Sequence, residues 1–502
     1  MNASLILGFI IGYFLLLVII SIITSRNSNN ASFFVGNHQS PWYILAYGMI
    51  GTSISGVSLV SVTGMVAAQH FSYLQIVFGY VFGYLLIAYV LLPMYYRLNL
   101  TSIYEYLGLR FGNGSHQIGS FYFLLSRTLG AGARLFLAAT VMHSLVFSKF
   151  GLGFELTVAI TLAMIYLYTF KAGIKTIVWT DTLQTTFLLL AIIAAIFSIK
   201  SLIGWDWELI SGAITYNKFS EVMTTGYLGF SKSFLAGVFI CVTMTGLDQG
   251  MMQRSLSAAS LKDAQKNIIS TSIMIVFVNL LFLSIGALLA VYVIKEGIIF
   301  EKSDLIFAQV ATERFGLLAG GLFIMGLIAA TFSSADDAMT ALTTSFTIDI
   351  LKMDPEGSKT EFWRKIIHLG VGIVIFLVII IGFKNAKGAV INIVLQIASY
   401  TYGPLLGLYA FGLLTKLKVK DAFVPLICVL TPLVMLLISA WIGINWFSEN
   451  PEAFSTIQNQ PVLPRALAYI SKGLGNEVIY YSGILCFGML YLGSRFSKQE
   501  LA

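Results

Sequence analysis

Residues Gly48-Met49-Ile50-Gly51-Thr52-Ser53-Ile54-Ser55-Gly56-Val57-Ser58 lie in the middle of an apolar run, 42–68, long enough to cross a bilayer. The hydrocarbon core takes about 20 apolar residues as a helix. The centre of such a helix is where apolar side chains are most needed, yet here it is Gly and Ser. Glycine weakens helix interiors. Backbone freed from helical bonding survives at that depth only against protein or a watery cavity. The stretch therefore reads in two ways. It is a helix packed tightly on small residues, or a helix broken in mid-membrane that offers carbonyl oxygens to an ion, as discontinuous transporter helices do.

The same apolar pattern extends along the chain. Runs at 3–23, 71–96, 117–148, 154–170, 176–204, 233–253, 267–294, 316–350, 366–383, 389–415, 422–442 and 477–494 bring the total to thirteen. They are continuous rather than alternating, which predicts helices and not a barrel. Of the 502 residues, 57% are hydrophobic and 11% charged, where soluble domains hold roughly 25% charged residues. No polar linker divides the sequence, so 1–502 reads as a single all-α membrane domain. The first run has no positive charge before it and is long, so a retained helix is expected rather than a leader.

Orientation follows from Lys and Arg. With the N-terminus outside, inner loops hold 17 of them, outer loops 11, and the membrane two, Arg127 and Arg134. The outer loops also hold 11 acids and the inner loops 7. The net basic side is expected inside, which places the C-terminus in the cytoplasm. Topology accounts for the formal charge of +7, and nucleic acid is not needed as a partner. Cys241, Cys428 and Cys486 fall in apolar runs and read as small buried hydrophobes. The five histidines show no metal-ligand spacing, and no nucleophile–base–acid set points to an enzyme.

Charge inside a membrane is costly and usually functional. Five acids fall there: Asp181, Asp248, Asp336, Asp337 and Asp349. Asp349 sits at the inner end of its run and reads as interfacial. In Ala329-Ala330-Thr331-Phe332-Ser333-Ser334-Ala335-Asp336-Asp337, positions 330, 333, 334 and 337 share one helix face. That face offers two hydroxyls and a carboxylate beside small residues that admit another backbone. Such oxygens suit a hard cation; helix-packing hydroxyls with an Asp bonded across the bundle are the other reading.

These residues resemble the sodium:solute symporter family, which includes sodium/glucose, sodium/proline and sodium/sialic-acid carriers. The resemblance runs from about residue 3 to 496. Ser32-Phe33-Phe34-Val35-Gly36 with Pro41-Trp42 looks like the loop before the family's first core helix. Thr101-Ser102-Ile103-Tyr104-Glu105-Tyr106-Leu107 with Arg110-Phe111, Trp179-Thr180-Asp181 with Gln184, Gly246-Leu247-Asp248-Gln249 with Gln253-Arg254, and Tyr402-Gly403-Pro404 follow in the family order. The resemblance implies a LeuT-like fold: a ten-helix core over 42–415, made of two five-helix inverted repeats, with a peripheral helix at 3–23 and two more at 422–496.

It also implies a sodium site made by the carbonyls of Gly51, Ile54 and Ala330 and the hydroxyls of Ser333 and Ser334. A second sodium site, present in some members, matches Asp181, Ser55 and positions Asp336 and Asp337, where the family usually has Ser. The aspartate pair departs from the pattern. It could strengthen that site, add a proton-titrating carboxylate, or pair with Arg127 or Arg134. The substrate region departs too. Cys241, Thr243 and Met244 stand where sugar carriers have polar residues and a tyrosine, and Gly130 stands where a sialic-acid carrier has arginine. Arg127 and Arg134, seven residues apart, share a face and suit either an anionic substrate or an intramembrane Asp. Ser53, Ser58, Gln75, Met244 and Tyr400 are further candidates. Lys171-Ala172-Gly173 stands where the family has Gly-Gly.

The resulting expectation is a sodium-driven symporter in the inner or plasma membrane that imports a small polar organic solute by alternating access. The solute would be a sugar, sugar acid, amino acid or carboxylate, and no obligate protein partner is called for. A proton-coupled or uncoupled carrier of the same fold, and a membrane solute sensor, are the alternatives.

Overall fold

The computed structural model describes residues 3–24, 40–100, 102–170, 173–204, 229–297, 303–354, 357, 359–383, 390–458, 465, 468–470 and 472–499. Among them there is no strand, only an isolated bridge between Ser40 and Ala258. Eight helices are long and apolar enough to cross a membrane: α1 (Ala3–Thr24), α4 (Tyr73–Leu98), α7 (Gly173–Ile203), α10 (Leu261–Glu296), α11 (Gly316–Ile350), α12 (Thr360–Phe383), α13 (Val390–Leu414) and α14 (Phe423–Glu449). Two further spans are bent pairs. α2 (Trp42–Ser53) meets α3 (Ser58–Ala67) at 61°, and α8 (Phe230–Gly246) meets α9 (Gln249–Leu256) at 65°. Three other helices fill the remaining sequence runs: α5 (Asn113–Leu145), α6 (Phe154–Thr169) and α15 (Val478–Gln499). α5 is long enough to cross but is made less apolar by its buried polar face.

Local sequence sets the ends of these helices. Ser260 accepts from the Asp263 amide at 3.2 Å and donates to the Asp263 carboxylate at 2.8 Å, a serine N-cap that starts α10. Gly297, at φ 63°, ends it in the left-handed conformation that glycine adopts without strain. Asp248 caps α9 by accepting from the Met251 amide at 3.2 Å.

The two bends fall at the first helix of each half, α2/α3 before α4–α7 and α8/α9 before α10–α13. Breaks at corresponding positions of two halves are the architecture of inverted-repeat carriers. The break at Leu247–Asp248 is absent from the sequence reading, which ran one straight span over 233–253. The loops that charge counting assigned to one side do gather at one end. Ser40 donates to the Ser257 carbonyl at 3.1 Å, Arg110 reaches the carbonyls of Thr415 and Leu417, and Lys352 donates to Asn113 at 2.6 Å. Ser32–Gly36, Thr101, Lys171-Ala172 and most of the 205–232 loop lie outside the described residues.

Candidate functional site

The α2/α3 break is wedged between α7 and α11. A Cβ on Gly48 would meet the Asp181 Cβ of α7 at 3.1 Å, and one on Gly56 would meet the Leu327 carbonyl of α11 at the same distance. Glycine is therefore what lets the broken helix sit so close. α2 stops at Ser53, and Ile54 is extended at φ −102°, ψ 91°. Carbonyls in the last turn of a helix lack the amides that would continue its ladder, and Gly51 and Ile54 are at that end.

α11 brings its hydroxyls to the same point. Ser334 donates to the Ala330 carbonyl at 3.1 Å. The Ser333 hydroxyl lies 3.3 Å from that of Thr52 in the last turn of α2, and donates to Asp181 Oδ1 at 2.6 Å. The five residues expected around sodium are thus drawn from the break and the facing turn of α11. Their chemistry, carbonyl and hydroxyl oxygen from two separate helices, fits a hard monovalent cation.

Beside them runs a buried ionic network. Arg254 Nη1 lies 2.6 Å from Asp181 Oδ2 and donates to the Thr52 hydroxyl, and Arg254 Nη2 lies 3.0 Å from Asp337 Oδ1. Arg127 Nη2 pairs with Asp337 Oδ2, and Arg127 Nη1 stands 3.5 Å from Asp248 Oδ2. Tyr402 donates to the same Asp248 oxygen at 3.0 Å. Asp336 turns elsewhere and accepts from the Tyr168 hydroxyl at 2.9 Å.

One sequence expectation is corrected here. Arg254 was counted among inner-loop charges. α9 continues the span after a 65° bend at Leu247, packed inside the protein, and leaves Arg254 only 1% exposed. Asp349 keeps its place at the inner end of α11, where it is fully buried, 3.0 Å from His116 Nε2 and bonded by Ser345. Arg254 had a signal: four mid-membrane acids faced two arginines, an imbalance that asked for another cation.

Along the break lies a cavity of about 100 Å³. Of the substrate candidates, Ser53, Ser58, Arg127, Arg134 and Met244 line it; Gln75 and Tyr400 do not. Arg127 is committed to Asp337 and Asp248. Arg134 is half-buried, and among the described residues no carboxylate pairs with it. The Ser53 hydroxyl is buried without a hydrogen-bond partner. Sequence reasoning missed Tyr73, Tyr80, Tyr84 and Asn279, which also line the cavity. Tyr73 and Tyr80 are one residue type at i and i+7 on α4, their hydroxyls 3.3 Å apart. Tyr73 and Leu395 are shared with a second cavity of about 230 Å³, which Gln69, Ser72, Lys232 and Glu477 line towards the opposite end from the gathered loops.

The model of the sodium:solute symporter family matches residues 33–428. The chain is 25% identical over 388 residues to the sodium-dependent multivitamin transporter of Oryctolagus cuniculus, covering 74% of this chain and 59% of that protein's length. It is 23% identical over 522 aligned positions to the human sodium-coupled monocarboxylate transporter 2, covering 93% and 79%. Its fold is similar to a solved substrate-bound, outward-open state of a Na+-coupled sialic acid symporter, with a TM-score of 0.77 at 17% identity over 98% of each chain.

Proposed function

The chain belongs to the sodium:solute symporter family, and from that premise we propose that it is a sodium-coupled secondary active symporter that imports a small organic anion. One observation carries the reading: a single helix break serves both ligands. Gly51 and Ile54 offer carbonyls to sodium with Ala330, Ser333 and Ser334, while Ser53 and Ile54 line the solute cavity. A sodium ion held between α2 and α11 would fix the wall of that cavity. Coupling requires the ion to bind one conformation better than another, and ligands on two separable helices meet that requirement.

The anion follows from Arg134, a half-buried guanidinium on the cavity wall with no carboxylate of its own. A planar guanidinium prefers a carboxylate fork, and leaving it unpaired at depth is costly. Monocarboxylates and sialic acid, named for two of the similar proteins, are both acids. Ile240, Met244 and Leu395 on the same wall suit a small apolar body behind the charged end.

The protein is multi-pass. Its N-terminus is assigned outside and its C-terminus to the cytoplasm, supported by the basic bias of the loops. Thermal-shift screening of the purified chain against small carboxylates, sugar acids, sugars and amino acids, each with sodium and with an inert cation, tests the function. Stabilisation by a carboxylate only when sodium is present is the expected result; stabilisation by a neutral sugar alone would displace the anion reading.

A further inference from the structure

Three of the residues matched to a second sodium site, Asp181, Asp336 and Asp337, have partners among this protein's own side chains. Asp181 is 1% exposed and Asp337 is 2% exposed. Carboxylates at that depth need a compensating charge. Both oxygens of Asp181 are taken, Oδ1 by the Ser333 hydroxyl at 2.6 Å and Oδ2 by Arg254 at 2.6 Å. Both oxygens of Asp337 are taken as well, Oδ1 by Arg254 at 3.0 Å and Oδ2 by Arg127. Of Asp336, Oδ2 accepts from Tyr168 and only Oδ1 is left over. A hard cation needs several oxygens with lone pairs turned to one point. Here the lone pairs turn to a guanidinium, whose planar fork spans two carboxylates.

We propose that Arg254 is the built-in cation of the Asp181 site, so that the carrier binds one sodium ion and has no place for a second. The inference rests on the sodium reading of the α2–α11 site. A tethered guanidinium stays with the protein through the cycle, whereas sodium leaves. Its charge therefore neutralises Asp181 and Asp337 without drawing on the gradient. Its bond to Thr52 also holds the last turn of α2 against α9, beside the Ser333 hydroxyl that the first site uses.

The test is a count of sodium ions bound to the purified full-length chain, by equilibrium binding of radiolabelled sodium. One ion per chain is expected for the wild type. One is also expected for Arg254→Lys, in which an ammonium keeps a fixed positive charge beside Asp181 and Asp337. Two are expected for Arg254→Gln, in which Asp181 and Asp337 lose their fixed partner. Two ions on the wild type, a second ion in Arg254→Lys, or a count of one in Arg254→Gln would each overturn the inference. If Arg254→Gln does not fold, the first two counts decide. A wild-type chain that binds no sodium overturns the sodium-carrier reading instead.

Discussion

Ser333 on α11 gives its hydroxyl hydrogen to Asp181 on α7 over 2.6 Å, and this bond decides which way the serine oxygen faces. With the hydrogen committed to a carboxylate, the lone pairs are left for other partners, Thr52 at 3.3 Å and the cation between α2 and α11. Asp181 thus acts on sodium through the serine it orients, and its own charge is answered by Arg254.

Ser334→Ala removes one of five proposed sodium oxygens and a bond to the Ala330 carbonyl within the same helix turn. Little volume changes, so the fold should survive. The expected loss is about 1–3 kcal/mol of sodium binding, by analogy with one polar partner left unmade. That is roughly a 5- to 150-fold rise in the sodium concentration for half-maximal thermal stabilisation. Ser333→Ala should behave likewise. An unaltered midpoint in both variants would remove the site.

The two arginines of α5 should respond differently, although they stand seven residues apart on one face. Arg127 is 6% exposed and holds two carboxylates. Arg127→Met leaves Asp337 and Asp248 short of a partner inside the membrane, and breaking a buried pair costs about 3–5 kcal/mol. Low yield and early thermal unfolding are expected. Arg134 has no such pair, so Arg134→Gln should unfold near the wild-type temperature and keep its sodium midpoint. Its stabilisation by a carboxylate solute should fall at least about tenfold, given charge-assisted bonds of roughly 1.5–3 kcal/mol. Normal solute binding in Arg134→Gln would take the anion out of the model.

What the residues disclosed in advance was the composition of the site; what they withheld was its partners. Gly48–Ser58 allowed either a break or a tightly packed helix, because small residues replaced apolar ones at mid-span, and the structure has the break. Ser333, Ser334 and Asp337 announced a polar face through their spacing. Arg254 was hidden because an apolar count ends the span at the first charge, whereas α9 continues past it inside the protein after a 65° bend. A local signal was present: Gly246, then Asp248 three residues before Met251, is a helix stop followed by an N-cap. Which aspartate pairs with which arginine depends on contacts between residues as distant as 127 and 337, and local spacing does not determine these.

Topology has its own check. Ser260→Cys, in the turn before α10, should be labelled only from the cytoplasmic side. Ser72→Cys, beside the larger cavity, should be labelled from outside. Reaction of the position-260 thiol with an impermeant reagent in intact cells would invert every helix and put the larger cavity on the cytoplasmic face.

The α13–α14 loop is the last element whose role can be tested through one side chain. Asp421 accepts from the amides of Gly114 at 2.7 Å and Ser115 at 2.8 Å, and from the Ser115 hydroxyl at 2.6 Å. It therefore caps α5 from another part of the chain, where Gly112 and Asn113 supply no cap of their own. A carboxylate at a helix N-terminus satisfies otherwise unmet amides and opposes the positive end of the dipole. Arg110 fastens the same loop from the other side, through the carbonyls of Thr415 at 3.0 Å and Leu417 at 2.8 Å. Asp421→Ala should cost about 1–2 kcal/mol, as lost caps do, and lower the unfolding temperature without moving the sodium midpoint. Arg110→Ala should do the same. Because both side chains pin one loop, the two losses should not add. Once either is gone the loop is free at one edge, and the second loss should be smaller. A double-mutant cycle on unfolding temperature measures this. Strict additivity would mean that the cap and the arginine act on α5 and on the loop separately.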